Sequence, residues 1–230
     1  MFEWFQSIID IFAEILAYFY SLTGNYGLAI IILTIIVRLI TFPLMAKQMK
    51  STQKMQSLQP ELKKIQEKYK DDKETLNKKT MELWQNNNVN PMAGCFPLII
   101  QMPVLLAFFR TLHQDRMADF VADYNPFLFQ GMEFLNLNLP DPLYILPVLA
   151  GATTWLHQKF TMASKSSSSS NNPMASMMYI MPIMLVVISA GLPAGLPLYF
   201  VVGNIFSMLM HVVMEKFSGD EEEVEEVKQK

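Results

Sequence analysis

The chain has 230 residues, of which 51% are hydrophobic and only 17% are charged, and its formal net charge is −3. This composition is typical of a single membrane domain with several spans, and it excludes a soluble enzyme held by one anchor. The sequence contains no H-E-x-x-H motif, no pair of cysteines and no Walker-type glycine loop. We therefore expect no catalytic site, no metal and no cofactor, and we do not expect an enzyme.

The N-terminal segment, residues 1–23, is predicted to form an amphipathic helix that lies in the membrane interface outside the cell. Apolar side chains recur at helical spacing from Phe5 to Phe19, whereas Asp10 and Glu14 fall on another face. These acidic side chains disfavour a membrane span. The segment is not a signal peptide, because it has neither a basic start nor a cleavage pattern.

The next segment, residues 27–46, is apolar, is long enough to cross a bilayer as a helix, and carries Arg38 at its centre. An arginine there costs ~3 kcal/mol on insertion scales, so a functional role is the default interpretation. Thr34 and Thr41 lie about one turn before and after Arg38, and therefore on the same helix face. The alternative is a structural arginine that snorkels to the interface or pairs with a neighbouring span.

Residues 47–90 differ in composition from the segments on either side, because they carry most of the lysines of the chain and few apolar side chains. Their apolar residues are sufficient for two amphipathic helices separated at Asp71 and Asp72. We therefore predict a helical hairpin that stands in water. The hairpin is either a plain solvated connector or a docking surface, and we favour the docking surface.

Four further spans are predicted, at about 92–112, 143–160, 173–190 and 194–214. An acid-rich loop lies between the second and third spans, and a serine- and asparagine-rich loop, residues 166–172, precedes the fourth. The acidic tail comprises residues 215–230, and its last part, residues 220–230, is predicted to be disordered. No internal repeat is visible in the sequence.

The lysines predict the orientation of the chain. They are concentrated in residues 47–90 and recur at Lys159 and Lys165, whereas the N-terminal segment has no basic residue. The positive-inside rule then places the hairpin and the C-terminus in the cytoplasm and the N-terminus outside. We expect an all-α membrane protein with five transmembrane helices, a cytoplasmic helical hairpin and an N-terminal interfacial amphipathic helix, in which residues 24–214 form the core.

Polar side chains cluster in the halves of the spans that are predicted to face the cytoplasm. No aspartate or glutamate lies within a predicted span, so Arg38 must face water, backbone carbonyls or an incoming anionic group. Serine, threonine and asparagine also join helices inside membranes, and for single residues this alternative stays open. Together the polar residues favour a wet cavity open to the cytoplasm. Its predicted lining is Arg38, Thr34, Thr41, Gln101, Thr153, Thr154, Gln158, Asn204 and Ser207, and the same stripes carry His157 and His211.

Specific motifs within residues 24–112 resemble the YidC/Oxa/Alb family of membrane protein insertases. They are GNYGLAIIILTIIVRLITFPL, SLQPELKKIQEKYKDD and VNPMAGCFPLIIQMPVLLAFFRTL. The remaining span order and loop sizes agree with the family to about residue 214. We expect the compact Gram-positive type, without the large extracytoplasmic domain found in Gram-negative members. Compact members usually begin with a lipoprotein signal and a lipidated cysteine, and we expect Met1 to begin a trimmed mature form.

The resemblance implies a five-helix core around a hydrophilic groove that is closed outward and open to the cytoplasm and to lipid. Arg38 matches the groove arginine of the family, and Gln101 falls where groove lining is expected. Residues 47–90 match the hairpin implicated in receiving substrates and in contacts with the ribosome, the signal recognition particle receptor and the Sec translocon. The short acidic tail puts tail-mediated ribosome binding in doubt, because RNA binding requires cations, and no direct nucleic-acid site is evident.

The expected function is insertion and folding of nascent membrane proteins in the bacterial plasma membrane, with Arg38 attracting acidic client segments. A small-anion channel or secondary transporter that binds its anion at Arg38 is the alternative, and an internal repeat or broken helices would favour it. A purely structural assembly factor is a third possibility, in which Arg38 would be dispensable.

Overall fold

The structure is a computed structural model that describes residues 3–87, 89, 96–113, 119–121, 125–128, 135–162 and 173–228. It contains the helices α1 (Glu3–Thr23), α2 (Tyr26–Ser57), α3 (Gln59–Lys68), α4 (Lys73–Asn86), α5 (Phe96–His113), α6 (Ile145–Met162), α7 (Pro173–Ser189) and α8 (Gly195–Lys228). Within the described residues no strand forms, and only an isolated bridge joins Phe127 to Asn136. The prediction of an all-α fold is confirmed.

A helix occupies each of the segments that the sequence predicts to cross the membrane. By length and composition alone, two stretches are long and apolar enough to cross a bilayer, Tyr26–Ala46 in α2 and Gly195–Met214 in α8. The helices α5, α6 and α7 are shorter, with 18, 18 and 17 residues. A crossing by all five helices therefore stays a prediction.

Two helices are longer than the spans predicted for them. α2 continues beyond residue 46 to Ser57, and α8 continues beyond residue 214 to Lys228. Extending a helix needs no new nucleus. Lysine, glutamine and methionine, which follow the first span, and lysine and glutamate, which follow the last one, are good helix formers. The prediction that residues 220–230 are disordered is therefore wrong for residues 220–228, which continue α8.

Side-chain contacts between helices fix their relative directions. A Cβ added at Gly195 of α8 would lie 3.2 Å from Cδ1 of Ile30 in α2, and one added at Gly203 would lie 2.9 Å from Cζ of Arg38. The later residue of α8 thus meets the later residue of α2, so the two helices run parallel. α5 runs the other way, because the same Gly195 position faces Leu112 near the end of α5, whereas Gln101 nearer its start bonds to Tyr199.

The buried core occupies one end of this helix bundle, which we call the packed end. In α1 the buried side chains Ile9, Ala13 and Leu16 recur at helical spacing and form one face, and α1 packs against α2 and α5. Asp10 and Glu14 lie on another face and are exposed, as their spacing predicts. The packed end includes Leu16, Tyr26, Ile30, Leu33, Phe108, Leu112, Leu137, Leu146, Leu198 and Tyr199, all of which are buried.

The connection between α5 and α6 covers the packed end. The carbonyl of Leu137 accepts a hydrogen bond from the backbone N–H of Gly195 at 2.9 Å, and the carbonyl of Leu139 accepts one from Ala194 at 2.8 Å. These donors belong to the start of α8, where N–H groups lack helical partners. The hydroxyl of Tyr26 donates to Oδ1 of Asn138 at 3.2 Å. The connection thus satisfies a helix terminus and shields the core beneath it.

The helices α3 and α4 pack against each other, and α3 also contacts α2. Neither helix contains a buried residue. The break between them falls where the sequence predicts it, since α3 ends at Lys68 and α4 begins at Lys73. Asp72 caps α4, because its Oδ1 accepts a hydrogen bond from the backbone N–H of Thr75 at 3.1 Å. Hydrogen bonding to Thr75 lowers the pKa of the Asp72 carboxyl below its usual value.

Candidate functional site

The opposite part of the bundle, which we call the polar end, comprises α2 from Arg38 onward, α6 from Thr153 onward and α8 from Gly203 onward. The burial pattern of α2 changes sharply along its length. Leu33 is 1% exposed and Thr34 is 0% exposed, but residues 38–46 include no buried side chain. Weakly packed surface therefore begins on α2 about one turn after the core ends.

Arg38 is held against α8. Its Cζ lies 5.7 Å from the centroid of the Tyr199 ring, a distance at which a cation interacts favourably with an aromatic face. Its guanidinium also lies against the backbone of Gly203. Nη1 is 4.0 Å from Sδ of Met45, which is a weak acceptor. The arginine therefore has a defined position in the structure.

The charge of Arg38 is not neutralised by a carboxylate within the part of the chain that the structure describes. Nε is buried and has no hydrogen-bond partner there. Within the described residues the guanidinium lies over the Tyr199 ring and near the Met45 thioether, and neither group is a strong hydrogen-bond acceptor. This agrees with the absence of acidic residues from the predicted spans.

Tyr199 connects Arg38 to Gln101. Tyr199 is fully buried at the boundary between the two ends, and its ring centroid lies 4.9 Å from that of Phe108. Nε2 of Gln101 donates a hydrogen bond to the Tyr199 hydroxyl. The structure therefore brings Gln101 of α5 and Arg38 of α2 into one cluster through a residue that our sequence analysis did not select.

A second cluster joins α6 to α8. Nδ2 of Asn204 donates to Oγ1 of Thr154 at 2.7 Å and to Oγ1 of Thr153 at 3.2 Å. Asn204 is buried, and the Ser207 hydroxyl, also buried, donates to the carbonyl of Gly203 at 2.8 Å. Such bonds are typical of polar residues that join helices in membranes. For Asn204 and Ser207, helix packing is thus a role that the geometry already provides.

The remaining predicted residues form their side-chain hydrogen bonds outside these two clusters. The hydroxyls of Thr34 and Thr41 donate to carbonyls of their own helix, Ile30 at 2.7 Å and Val37 at 2.9 Å. Gln158 faces α7, where its Nε2 donates to Sδ of Met181 at 3.3 Å. Among the described residues, no side-chain to side-chain hydrogen bond joins Thr34, Thr41 or Gln158 to either cluster, and the common groove lining stays a prediction.

The buried side-chain polar atoms that have no hydrogen-bond partner, within the residues described, are Nε of Arg38, Oε1 of Gln158 and Nδ1 of His211. All of them belong to the polar end. His157 lies close enough to both Arg38 and His211 to interact with them electrostatically. Buried polar atoms in native proteins normally bond to protein, water or ligand. Their concentration at one end favours a chamber that admits water or a polar chain.

Sequence analysis missed Tyr199 and Gly203. Together with Ser207 and His211 they recur every four residues and lie on one face of α8. We followed the polar residues alone, beginning at Asn204, and so overlooked an aromatic residue and a glycine on the neighbouring stripe. The spacing was a usable signal, but nothing in the sequence indicated that this face meets Arg38.

Comparison with known proteins gives consistent results. Residues 18–221 match the family model described as 60Kd inner membrane protein. Membrane protein insertase MisCA of Bacillus subtilis is 44% identical over 208 residues, which cover 88% of this chain and 76% of that protein. Membrane protein insertase YidC of Fusobacterium nucleatum is 41% identical over 214 residues, which cover 91% and 98% respectively. A crystal structure of an active YidC insertase with its first transmembrane domain resolved is similar with a TM-score of 0.66 at 26% identity, covering 91% of this chain and 47% of that one.

Proposed function

We propose that this chain, which belongs to the family of the 60Kd inner membrane protein and the YidC insertases, inserts client membrane proteins into the bacterial plasma membrane and helps them to fold. No bond is made or broken in this process, and the chain acts by providing a polar path part of the way across the bilayer. The observation that carries the proposal is the position of Arg38, which is fixed between helices without a carboxylate partner in the described structure.

In the proposed mechanism, a short polar segment of the client enters the polar end from the cytoplasm. Arg38 attracts its acidic side chains, because opposite charges interact strongly where the dielectric constant is low. The unpartnered Oε1 of Gln158 and Nδ1 of His211 support this path, since they offer hydrogen bonds to water or to a client backbone. The groove that we propose is lined by Arg38, Thr41, Gln101, Thr153, Thr154, Gln158, Asn204 and Ser207, with Thr34 at its closed limit.

The client's own apolar helix supplies the driving force. Each Leu, Ile, Phe or Val contributes ~0.3–0.6 kcal/mol when it enters the bilayer centre, so a whole span offsets the cost of moving a few polar residues. The packed end remains as a barrier on the far side, which leaves only part of the bilayer thickness to be crossed without polar contacts. This favours an insertase over a small-anion channel, because a channel needs a path through the packed end as well.

The orientation of the chain is part of the proposal. Lysines accumulate in residues 47–90 beside the polar end, which supports a cytoplasmic polar end with α1 outside. The exposed pair of helices α3 and α4 would then receive nascent clients, and the ribosome, the signal recognition particle receptor and the Sec translocon are candidate partners. Labelling cysteines introduced into α4 with a membrane-impermeant thiol reagent, from each side of the membrane, tests this orientation.

The test of the mechanism varies the charge at position 38 and the charge of the client. Arg38→Ala and Arg38→Glu should reduce insertion of a single-span client with an acidic translocated tail, and Arg38→Lys should retain much of the activity because a point charge is sufficient. A client with a neutral tail and the variant Arg110→Ala serve as controls, measured by protease protection in proteoliposomes. Equal insertion of the acidic-tailed client by the wild type and by Arg38→Glu would refute the electrostatic mechanism.

A further inference from the structure

Gly203 is the point at which Arg38 of α2 meets α8. A Cβ added at Gly203 would lie 2.7 Å from Nε and 2.9 Å from Cζ of Arg38, and it would also overlap Nη2. Carbon atoms in proteins do not approach other heavy atoms so closely without displacing them. The guanidinium can therefore occupy its observed position only because residue 203 has no side chain.

Tyr199 lies one turn before Gly203 on the same face of α8 and contacts the same guanidinium. Its ring is fixed in place, because the residue is 0% exposed, its ring packs against Phe108 and its hydroxyl accepts a hydrogen bond from Gln101. The centroid lies 5.7 Å from Cζ of Arg38, within the range of a cation–π interaction. The fixed ring of Tyr199 and the bare backbone of Gly203 thus form two sides of the site that the Arg38 guanidinium occupies.

This site holds the Arg38 guanidinium in place without offering strong acceptors to its N–H groups. The ring offers no lone pair to the N–H groups, and Sδ of Met45 is a weak acceptor at 4.0 Å from Nη1. A carboxylate in the same place would hold the guanidinium equally well but would cancel the charge. The geometry therefore combines a defined position with N–H groups that meet no strong acceptor among the described residues, and recognition of an acidic segment requires this combination.

We infer that Tyr199 and Gly203 are positioning residues that hold the Arg38 guanidinium against α8 and leave its N–H groups free for an acidic client segment. The inference rests on the proposed insertase function for its biological meaning. The position of the guanidinium itself can be measured without any insertion assay.

The variant Gly203→Ala displaces the guanidinium with little harm to the fold. Alanine is a better helix former than glycine, and the atoms that the new Cβ meets are the far end of a flexible side chain. Gly195→Ala is the matched control on the same helix. Its Cβ would lie 2.8 Å from Cδ1 of Leu112 and 3.2 Å from Cδ1 of Ile30, so it disturbs packing at the packed end without touching Arg38.

The first measurement follows the arginine side chains by nuclear magnetic resonance of the full chain in nanodiscs, with nitrogen-15 arginine. The arginines of the chain are Arg38, Arg110 and Arg116, and Arg38→Lys identifies the Arg38 Nε–H signal by its loss. We expect Gly203→Ala to shift this signal and Gly195→Ala to leave it in place. If Gly203→Ala leaves the Arg38 signal unchanged, the inference is wrong.

Tyr199 is tested in the same way with two variants. Tyr199→Phe keeps the ring and loses only the bond from Gln101, so the Arg38 signal should move little. Tyr199→Leu removes the aromatic face, so the signal should move by more than in Tyr199→Phe. Equal shifts in the two variants would show that the ring does not hold the guanidinium.

The second measurement is the ratio of insertion of an acidic-tailed client to that of a neutral-tailed client. We expect Gly203→Ala to lower this ratio by about threefold, a partial effect, because a displaced charge still attracts the acidic tail but does so more weakly. In an Arg38→Lys background the same glycine substitution should have little effect, because lysine has no planar fork to displace. A general folding defect would instead lower insertion of both clients equally and would contradict the positioning role.

The two measurements separate this inference from the proposed function. If the Arg38 signal moves in Gly203→Ala but even Arg38→Ala leaves the client ratio unchanged, the positioning inference holds and the charge mechanism fails. If Arg38→Ala lowers the ratio and Gly203→Ala does not, the charge mechanism holds and the position set by Gly203 is irrelevant to it, which overturns the inference.

Discussion

The packed end and the polar end share the helices α2, α6 and α8, yet their side chains are packed and hydrogen-bonded differently. At the packed end, side chains such as Leu33 and Leu112 are each 1% exposed, and the start of α8 is satisfied by carbonyls of the α5–α6 connection. At the polar end, burial decreases along α2 and the unpartnered atoms of Arg38, Gln158 and His211 accumulate. The start of α8 at the packed end is thus hydrogen-bonded within the chain, whereas the polar end contains polar atoms that have no partner among the described residues.

This difference indicates how a bundle of apolar helices can carry a polar site without losing its fold. Stability is concentrated where α1, α2, α5 and α8 meet and where the connection between α5 and α6 covers them. That concentration allows α2, α6 and α8 to present polar groups farther along. If stability and function are separated in this way, substitutions at the two ends should have different effects.

The largest expected effect on stability comes from two leucines of α2. Leu33 is 1% exposed at the packed end and Leu39 is 53% exposed at the polar end. Leu33→Ala should lower the free energy of unfolding by about 3 kcal/mol, because it leaves a cavity in close-packed surroundings. Leu39→Ala should change it by less than ~0.5 kcal/mol. Unfolding in mixed detergent, followed by tryptophan fluorescence, measures both.

The leucine pair also provides its own control, because the residue type, the substitution and the helix are the same. Equal destabilisation by Leu33→Ala and Leu39→Ala would show that the two ends contribute alike, and the division proposed here would then be wrong. A loss of insertion in Leu39→Ala without a loss of stability would refine the division, since it would extend the functional surface to the exposed face of α2.

The next effect concerns α3 and α4, which lie beside the polar end and contain no buried residue. Replacing residues 59–86 by a short glycine–serine linker retains Leu58 and Val89, which are buried on either side. We expect the helical core to keep its unfolding midpoint while insertion falls, because the deletion removes a receiving surface and no core contact. Circular dichroism melting and protease protection report the two quantities separately.

Two outcomes of the deletion would contradict this expectation. A collapse of the core on deletion would make α3 and α4 structural, and full insertion activity would rule out a docking role. A scrambled sequence of the same composition in place of residues 59–86 distinguishes the loss of a specific surface from the loss of bulk and positive charge.

Much of the fold could be predicted from the sequence, because apolar runs and lysine-rich segments differ strongly in composition. The break near Asp72 and the acidic face of α1 followed from periodicity alone. The ends of α2 and α8 could not be predicted in the same way. Apolar length marks where a membrane span stops, but a helix can continue into the polar residues that follow it, and these two limits differ in both helices.

Within the candidate site, Arg38 could be predicted from the sequence, but its neighbours on α8 could not. Arg38 was conspicuous because a charge in an apolar run is costly. Its neighbours Tyr199 and Gly203 are an aromatic residue and a glycine, types that are ordinary in any membrane helix. Their role depends on which face of α8 meets α2, and that is a property of packing. Asn204 was found as a polar residue, but its bonds to Thr153 and Thr154 became known only from the structure.

The smallest expected effect is a dependence on pH that is confined to α4. Hydrogen bonding to Thr75 lowers the pKa of Asp72 below its ordinary value of 3.8, so the charged cap stabilises the folded helix above pH 3.8 and this stabilisation is lost as the pH falls through the lowered value. Amide exchange at Thr75 should therefore accelerate on acidification, beyond the intrinsic pH dependence of exchange, while exchange at Ile30 in the packed end should not. Asp72→Asn should keep the cap and abolish the additional pH dependence, because asparagine accepts the same bond without titrating. If Asp72→Asn retains the full pH dependence, another group is responsible for it, and its assignment to the Asp72 cap of α4 is wrong.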